Sequence, residues 1–564
     1  MMEMDEMKGK GKRGLLRVVF GRTAFFLLFI ALQLAVLYWV YVWLDKRYQA
    51  WGYGSFAVIS AILTIHILNE KQNASFKMAW LVPVLLFPVF GALFYVFVQL
   101  QTETKIFARR IEQVKKKTDH YLDQDPDVCK RLELRSRSNS NLSHYMKESG
   151  GYPTWDRTNF KYFPLGDDFY EDVLRELQKA KRYIFIEYFI IAKGVMWDSI
   201  VKILEQKVKE GVEVRILYDG MNSFSNLPHD YPKELEAKGI HCRIFNPIRP
   251  AISTSQNNRD HRKILVIDGH TAYTGGVNLA DEYINRKVRF GHWKDNAIRL
   301  KGDAVNNFTV MFLQMWDVCV KKLDSDFDYS RYLDTGDYFH APELNMDGFS
   351  IPFSDSPIDG EPVGHQLYLD IVYQARKYVY IMTPYLVLDD DMITALTYAA
   401  KRGVDTVIIM PHIPDKKSAF MLAHSYYTEL IEAGVKVYEY LPGFVHSKTF
   451  VSDGEKAVVG SVNMDFRSQY LNFECGVYIY ENPVVKDIRY DFDETLKKCV
   501  RMTKESVDAL PTLHKFCGKA ISICLMVKFS ALSAFASRMP RMISSICCSR
   551  MARCRWILTG IFSN

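Results

Sequence analysis

The chain has 564 residues, 48 % of them hydrophobic, and a formal net charge of +7, which exceeds one domain and leaves room for a large core. The positive charge sits at the ends: residues 1–117 and 501–564 are basic, while residues 118–500 carry a net charge of −10. A nucleic-acid enzyme gathers positive charge around its site, so this distribution argues against a nucleic-acid partner and for a membrane surface that attracts both flanks.

Residues 24–44 form an apolar run long enough to cross a bilayer, with Lys8, Lys10, Lys12, Arg13, Arg17 and Arg22 ahead of it. The run is too long for a signal peptide and lacks a small-residue cleavage site. Residues 78–100 form a second span, in which Pro83, Pro88 and Gly91 are tolerable; residues 56–68 are apolar but short. Lys105, Arg109, Arg110 and Lys115 to Lys117 follow. Basic residues outside both ends predict an even number of crossings, so residues 1–117 are expected to cross a cell membrane twice, with N-terminus and catalytic part both cytoplasmic. A third crossing at residues 56–68 would put them on opposite sides. The ten cysteines show no metal spacing and no disulfide framework, which fits a reducing compartment.

Residues 118–160 are polar and mixed and read as a connector with some helix. A repeated unit follows. Residues 168–181 have helical spacing, 183–191 form an apolar strand, 197–210 are helical and 211–219 form the next strand. Residues 366–377 and 378–386 repeat the first helix and strand, and Gly403-Val-Asp-Thr-Val-Ile-Ile matches Gly211-Val-Glu-Val-Arg-Ile-Leu. Such alternation implies an α/β sheet with parallel connections, here duplicated: halves at residues 161–320 and 351–500, a connector at 321–350, and a basic, Ser- and Cys-rich tail at 501–564.

The strongest signal lies inside that duplication. Asp260-His261-Arg262-Lys263 runs into an apolar stretch ending at Asp268-Gly269, and Gly275-Gly276-Val277-Asn278 follows; Val445-His446-Ser447-Lys448 leads likewise to Asp453-Gly454 and Gly460-Ser461-Val462-Asn463. In both copies Lys stands two, Asp seven and Asn seventeen residues after His, and the copies are offset by 185 throughout. Residues two apart in a strand share a face, so each copy presents an imidazole beside an ammonium. Asp268 and Asp453 open Asp-Gly pairs, a hairpin-turn signal, and read as framework residues of the catalytic set. Asn278 and Asn463 return on the next strand towards His and Lys. Two His, two Lys and two Asn suit an anionic phosphoryl group, whereas an ammonium beside each His disfavours a metal. No nucleotide or magnesium motif is visible, so no cofactor is expected. His66, His270, His365 and His424 lack a repeated partner and default to structural roles; His292, beside Asp295, is ambiguous.

These paired motifs resemble the signature of the phospholipase D superfamily, and within it the bacterial cardiolipin synthases, over roughly residues 15–500. Glu187-Tyr-Phe, Tyr218-Asp-Gly, Tyr440-Leu-Pro-Gly-Phe-Val-His-Ser-Lys and Asp465-Phe-Arg-Ser carry the closer likeness. The resemblance implies two pseudo-symmetric α/β halves sharing one active site behind N-terminal transmembrane helices. It implies further that Asp295 and Glu474 orient the catalytic histidines, with His261 as nucleophile and His446 as acid and base. The implied reaction joins two phosphatidylglycerol molecules into cardiolipin and releases glycerol. A hydrolytic phospholipase D or another headgroup exchanger would use the same residues with a different acceptor. A scaffold without activity would typically have lost a His or Lys, and all four stand.

Overall fold

The computed structural model describes residues 22–43, 45–70, 74–99, 102–221, 226–247, 257–320, 328–333, 347–511 and 518. The basic N-terminal residues before Arg22 and nearly all of the tail beyond residue 511 lie outside the described residues, as does most of the expected 321–350 connector. The chain divides into two compact units, the first formed chiefly by residues 1–101 and the second by residues 102–522.

The first unit contains α1 (Arg22–Trp43), α2 (Lys46–Leu68), α3 (Ala74–Leu86) and α4 (Pro88–Gln99). Of residues 78–100, expected as one span, the described residues 78–99 instead fold back on themselves. The Trp80 ring on α3 lies 5.1 Å from Tyr95 and 5.6 Å from Phe94 on α4, although fourteen or fifteen residues of straight helix would cover about 21 Å. Two residue types produce the reversal. Pro88 supplies no N–H and opens the second arm, and Gly91 lets the arms touch: a Cβ there would lie 2.2 Å from the Pro83 carbonyl oxygen. Arms of 13 and 12 residues span about 20 Å each, short of the ~30 Å hydrocarbon core. The short apolar run at residues 56–68 belongs to the 23-residue α2, which packs Ile67 against Trp80, Leu81 and Val84. Side chains of residues 22–30 are outside the described set, and among the described residues no helix is long and apolar enough to cross a membrane.

The second unit is the duplicated α/β body. Its first half carries β1 (Thr158–Phe163), β2 (Tyr183–Tyr188), β3 (Glu213–Asp219), β4 (His241–Phe245), β5 (Arg259–Asp260), β6 (Lys263–Ile267), β7 (Thr271–Gly275), β8 (His292–Lys294) and β9 (Ala297–Gly302). Its second half carries β10 (Phe349–Asp355), β11 (Tyr378–Met382), β12 (Asp405–Pro411), β13 (Lys436–Tyr440), β14 (Gly443–Val445), β15 (Thr449–Ser452), β16 (Lys456–Gly460), β17 (Asn472–Tyr480) and β18 (Cys499–Arg501). One sheet runs β1-β9-β7-β6-β2-β3-β4 and the other β10-β17-β16-β15-β11-β12-β13-β18. Strand for strand the first seven positions correspond, as a duplication requires. The expected parallel connections hold for β2-β3-β4 and β11-β12-β13, but the motif strands are antiparallel hairpins, β6 with β7 and β15 with β16. A connection of only three residues permits only that direction.

Both faces of each sheet are covered, which is why β6 (KILVI) and β15 (TFVS) are buried at every position. The helix Val305–Val318 is apolar almost all round and fills the space between the halves. It stacks Phe312 on Phe185 of β2 (4.5 Å) and donates from Asn307 to the Pro352 carbonyl of β10 (2.7 Å).

Each motif hairpin closes on its Asp-Gly pair. Asp268 and Gly269 have φ of 53° and 75°, and Asp453 and Gly454 of 55° and 76°, the left-handed conformation of a primed turn. The Asp268 carboxylate accepts the backbone N–H groups of Lys181, Arg182 and Tyr183 at 2.7–2.8 Å. Asp453 does the same for Arg376, Lys377 and Tyr378 at 2.8–3.0 Å. Each carboxylate thus fixes the start of a neighbouring central strand. The length of β6 or β15, about 13–17 Å at ~3.3 Å per residue, separates it from the histidine of its own motif. Grouping Asp268 and Asp453 with the catalytic residues is therefore corrected to a framework role. Asp268→Ala strands three backbone donors, and we expect a loss of about 2–4 kcal/mol in unfolding free energy. Denaturant titration measures that loss, and the activity per folded molecule should stay within a few-fold of the parent.

Candidate active site

The strands just described bring the histidines together from both halves, and the pairing is crossed. His261 Nδ1 lies 2.8 Å from Oε2 of Glu474, which β17 of the second half supplies. His446 Nδ1 lies 2.6 Å from Oδ2 of Asp295, which follows β8 of the first half. Sequence alone placed one acid downstream of each motif without showing this exchange.

Backbone pairing enforces it. β5, ending just before His261, pairs in parallel with the start of β17, ending just before Glu474 (Asn472↔Arg259, Phe473↔Asp260). β14, ending just before His446, pairs in parallel with β8, ending just before Asp295 (Gly443↔His292, Val445↔Lys294). His261 N–H donates to the Phe473 carbonyl at 2.9 Å and His446 N–H to the Lys294 carbonyl at 2.7 Å. Register therefore sets imidazole and carboxylate side by side in both dyads.

The positions after the hairpins, Gly276 and Ser461, adapt each carboxylate to its place. A Cβ at Gly276 would fall 2.0 Å from Asp295 Oδ1, so only glycine leaves room there. At the equivalent Ser461 the hydroxyl donates to Glu474 Oε2 (2.5 Å), and Asn472 donates to Oε1 (3.1 Å).

Lys263 and Lys448 each donate through Nζ to the carbonyl of the histidine two residues earlier. All four side chains are buried. Burial pulls His261 down to about 4 and His446 to about 3, with the neighbouring ammonium groups adding to the fall and the partner carboxylates opposing it. Burial likewise lowers Lys263 to about 8 and Lys448 to about 7. Lys448 acts on His261 and Lys263 on His446, so the charges of the two halves form one site. Burial alone would raise the carboxyls of Asp295 and Glu474, but the attraction of the facing histidines holds both below their ordinary values. With an ionised carboxylate at Nδ1, each neutral ring carries its proton there and turns a lone pair outward at Nε2.

Asn278 accepts from the Ile190 N–H (3.0 Å) and donates to the Tyr283 hydroxyl (2.9 Å). The Tyr283 ring packs edge-on against His446, 5.5 Å between centroids. Asn463 donates to Ser468 Oγ (3.0 Å), and its buried Oδ1 has no hydrogen-bond partner. Each carboxamide retains a second N–H for an anionic oxygen. Aromatic rings wall the site unequally. Among the described residues Phe189 lies on His261 (5.0 Å), whereas Tyr283, Trp293 and Phe444 surround His446 at 5.4–5.8 Å.

Supporting residues passed over in the sequence are charged groups in otherwise apolar strands, which is the signal that could have found them. Arg262 pairs with Glu187 of β2 and with Asp260 (3.2 Å). Asp219 at the end of β3 accepts the Asp260 N–H at 3.0 Å and faces Arg259 at 3.4 Å. The ambiguous His292 is structural: its Nδ1 meets the Tyr440 hydroxyl at 3.1 Å. His270 bonds Thr271 (2.7 Å), His424 bonds Glu439 (2.9 Å) and His365 faces Asp389 (3.4 Å).

Two buried His-carboxylate dyads with paired lysines, in two fused α/β halves, define an enzyme site of the phospholipase D type, and the relatives make it a phosphatidyltransferase. The family described as "Cardiolipin synthase, PLD-like domain" matches residues 173–316 and 368–496, and "Phospholipase_D-nuclease N-terminal" matches residues 58–99. A cardiolipin synthase of Alkalihalophilus pseudofirmus is 33 % identical over 83 % of this chain and 93 % of its own length. An uncharacterized protein of Streptococcus mutans is 46 % identical over 81 % of this chain and 98 % of its own. Among solved structures, phosphatidylserine synthase of Haemophilus influenzae shares the fold, with a TM-score of 0.52 at 14 % identity, covering 71 % of this chain and 99 % of its own. The chain belongs to the cardiolipin synthase family of the phospholipase D superfamily.

The buried dyads have a direct consequence for titration. In the ligand-free protein both rings stay neutral down to about pH 5 and protonate only as pH falls through about 4 for His261 and 3 for His446. Ring-nitrogen NMR of labelled histidine should show this, and adding an oxyanion such as tungstate should raise one of the two towards neutrality, because an added anion favours the imidazolium.

Proposed function

We propose that this enzyme makes cardiolipin from two molecules of phosphatidylglycerol. The observation that carries the reading is the pair of crossed dyads, which holds two imidazoles alike, each within reach of the other motif's lysine charge. Two such groups are what a double displacement at phosphorus requires, one to take the phosphatidyl group and one to move the proton.

The donor phosphodiester is held by Lys263, Lys448, Asn278 and Asn463. His261 Nε2 attacks phosphorus, forming the P–N bond of a phosphatidyl-histidine. The bond to the glycerol headgroup breaks, and the departing oxygen takes the proton of His446, whose imidazolium the bound anion and Asp295 stabilise. Glycerol leaves. The headgroup hydroxyl of a second phosphatidylglycerol then gives its proton to the neutral His446 and attacks phosphorus, restoring His261 and forming cardiolipin. Lysines and asparagines face the equatorial oxygens, where charge builds in the transition state. The choice of His261 as nucleophile follows the family resemblance, since the two dyads are nearly equivalent in geometry. No step calls on a metal or an organic cofactor.

Membrane attachment belongs to the same proposal. In the first unit Tyr38, Trp39, Trp43, Trp51, Ile62 and Ile65 are 55–79 % exposed, an apolar surface that a bilayer would cover. The basic run Lys115 to Lys117 after the last apolar helix supports a cytoplasmic catalytic part. Held this way, both lipid substrates stay in the plane of the tether, which raises their effective concentration.

Mass spectrometry of the detergent-purified protein supplied with phosphatidylglycerol alone should show cardiolipin and free glycerol, both absent in His261→Ala. Phosphatidic acid without cardiolipin would instead make this a hydrolase. A phosphatidyl ester of p-nitrophenol, whose leaving group needs no acid, assigns the histidines. His446→Ala should release a burst of nitrophenol and then stall, and His261→Ala should release none.

A further inference from the structure

The segment between Tyr283 and Trp293, two of the rings around His446, is exposed. Tyr283 and Trp293 both pack on the ring, and residues 286–289 between them are all exposed: Arg286, Lys287, Val288 and Arg289. Val288 is 80 % exposed. Arg289 is paired with Glu282 at 3.2 Å; among the described residues Arg286 and Lys287 make no ion pair. Phe290 turns back inward, 5.9 Å from Phe444, and Gly291 lies against Pro442 and Ile413. Ile413 and Leu441 on that rim are 38 % and 50 % exposed.

An apolar tip flanked by cations is out of character for a body that carries a net charge of −10 over residues 118–500. An anionic surface repels such a body as a whole and attracts it at this point. We propose that Arg286, Lys287 and Val288 form a docking loop for the anionic phospholipid surface, seating the Tyr283 and Trp293 side of His446 on the bilayer from which the substrate comes. The cations meet lipid phosphates and Val288 enters the headgroup layer. The inference rests on the phospholipid reading of the site and adds the surface through which lipid reaches it.

The test uses the full chain with Arg286→Glu, Lys287→Glu and Val288→Asp combined. In mixed micelles the mole fraction of phosphatidylglycerol giving half-maximal rate should rise roughly tenfold or more, since each cation near an anionic surface is worth about fivefold in binding. Turnover at saturation, and of a monomeric dibutyryl phosphatidyl nitrophenol, should stay unchanged. High salt should narrow the gap between variant and parent. Equal loss on the monomeric substrate would show that the loop serves His446 directly and would overturn the proposal, as would an unchanged interfacial response. A second variant reads docking without catalysis. The extra fluorescence of Val288→Trp should be quenched by brominated acyl chains in phosphatidylglycerol proteoliposomes and spared in phosphatidylcholine ones. Quenching in neither contradicts docking even if the enzyme proves to be a hydrolase, and quenching without cardiolipin synthesis would leave the loop standing while the transferase reading falls.

Discussion

The site depends on an exchange of carboxylates between the halves. Each histidine needs an acceptor at Nδ1 to fix its tautomer and aim Nε2, and each half supplies that acceptor to the other. The exchange is written into backbone, since β5 with β17 and β8 with β14 are short parallel pairs that begin in one half and end in the other. Neither half is a complete site by itself, so the duplication persists as one folded body.

Burial makes the exchange necessary. A neutral imidazole tolerates a dry pocket, but two carboxylates and two ammonium groups do so only when each faces opposite charge or hydrogen-bond donors. Asp295 and Glu474 face the histidines, while Lys263 and Lys448 bond the histidine carbonyls. The two ammonium groups balance the two carboxylates, but burial lowers both lysines, and a bound phosphodiester would favour their charged forms. In the proposed mechanism the proton needed for leaving-group departure therefore becomes favourable only once the anion is bound.

Much of this was legible in the chain. The 185-residue offset of the motifs, the Asp-Gly turns and the matching strand runs at Gly211 and Gly403 each correspond to an element now seen at equivalent sheet positions. Three things were not legible, each because it depends on contacts distant in sequence. His261 and Glu474 are 213 residues apart, and no periodicity announces a pair of that separation. The Asp-Gly pairs already marked Asp268 and Asp453 as framework residues, but not the backbone groups of distant strands that their carboxylates accept. The reversal at Phe87 rests on Gly91 meeting Pro83, and proline and glycine in an apolar run are equally compatible with a continuous span.

The crossing itself is tested most directly through the carboxylates. With the phosphatidyl ester of p-nitrophenol, Glu474→Gln should slow the burst by about two orders of magnitude or more, because it disturbs the tautomer of the attacking His261. Asp295→Asn should leave the burst near the parent rate and slow the later turnover, because it disturbs His446. With His261 fixed as nucleophile by the absent burst of His261→Ala, the reverse outcome, a burst lost in Asp295→Asn and kept in Glu474→Gln, would mean that each carboxylate serves the histidine of its own half and would contradict the account.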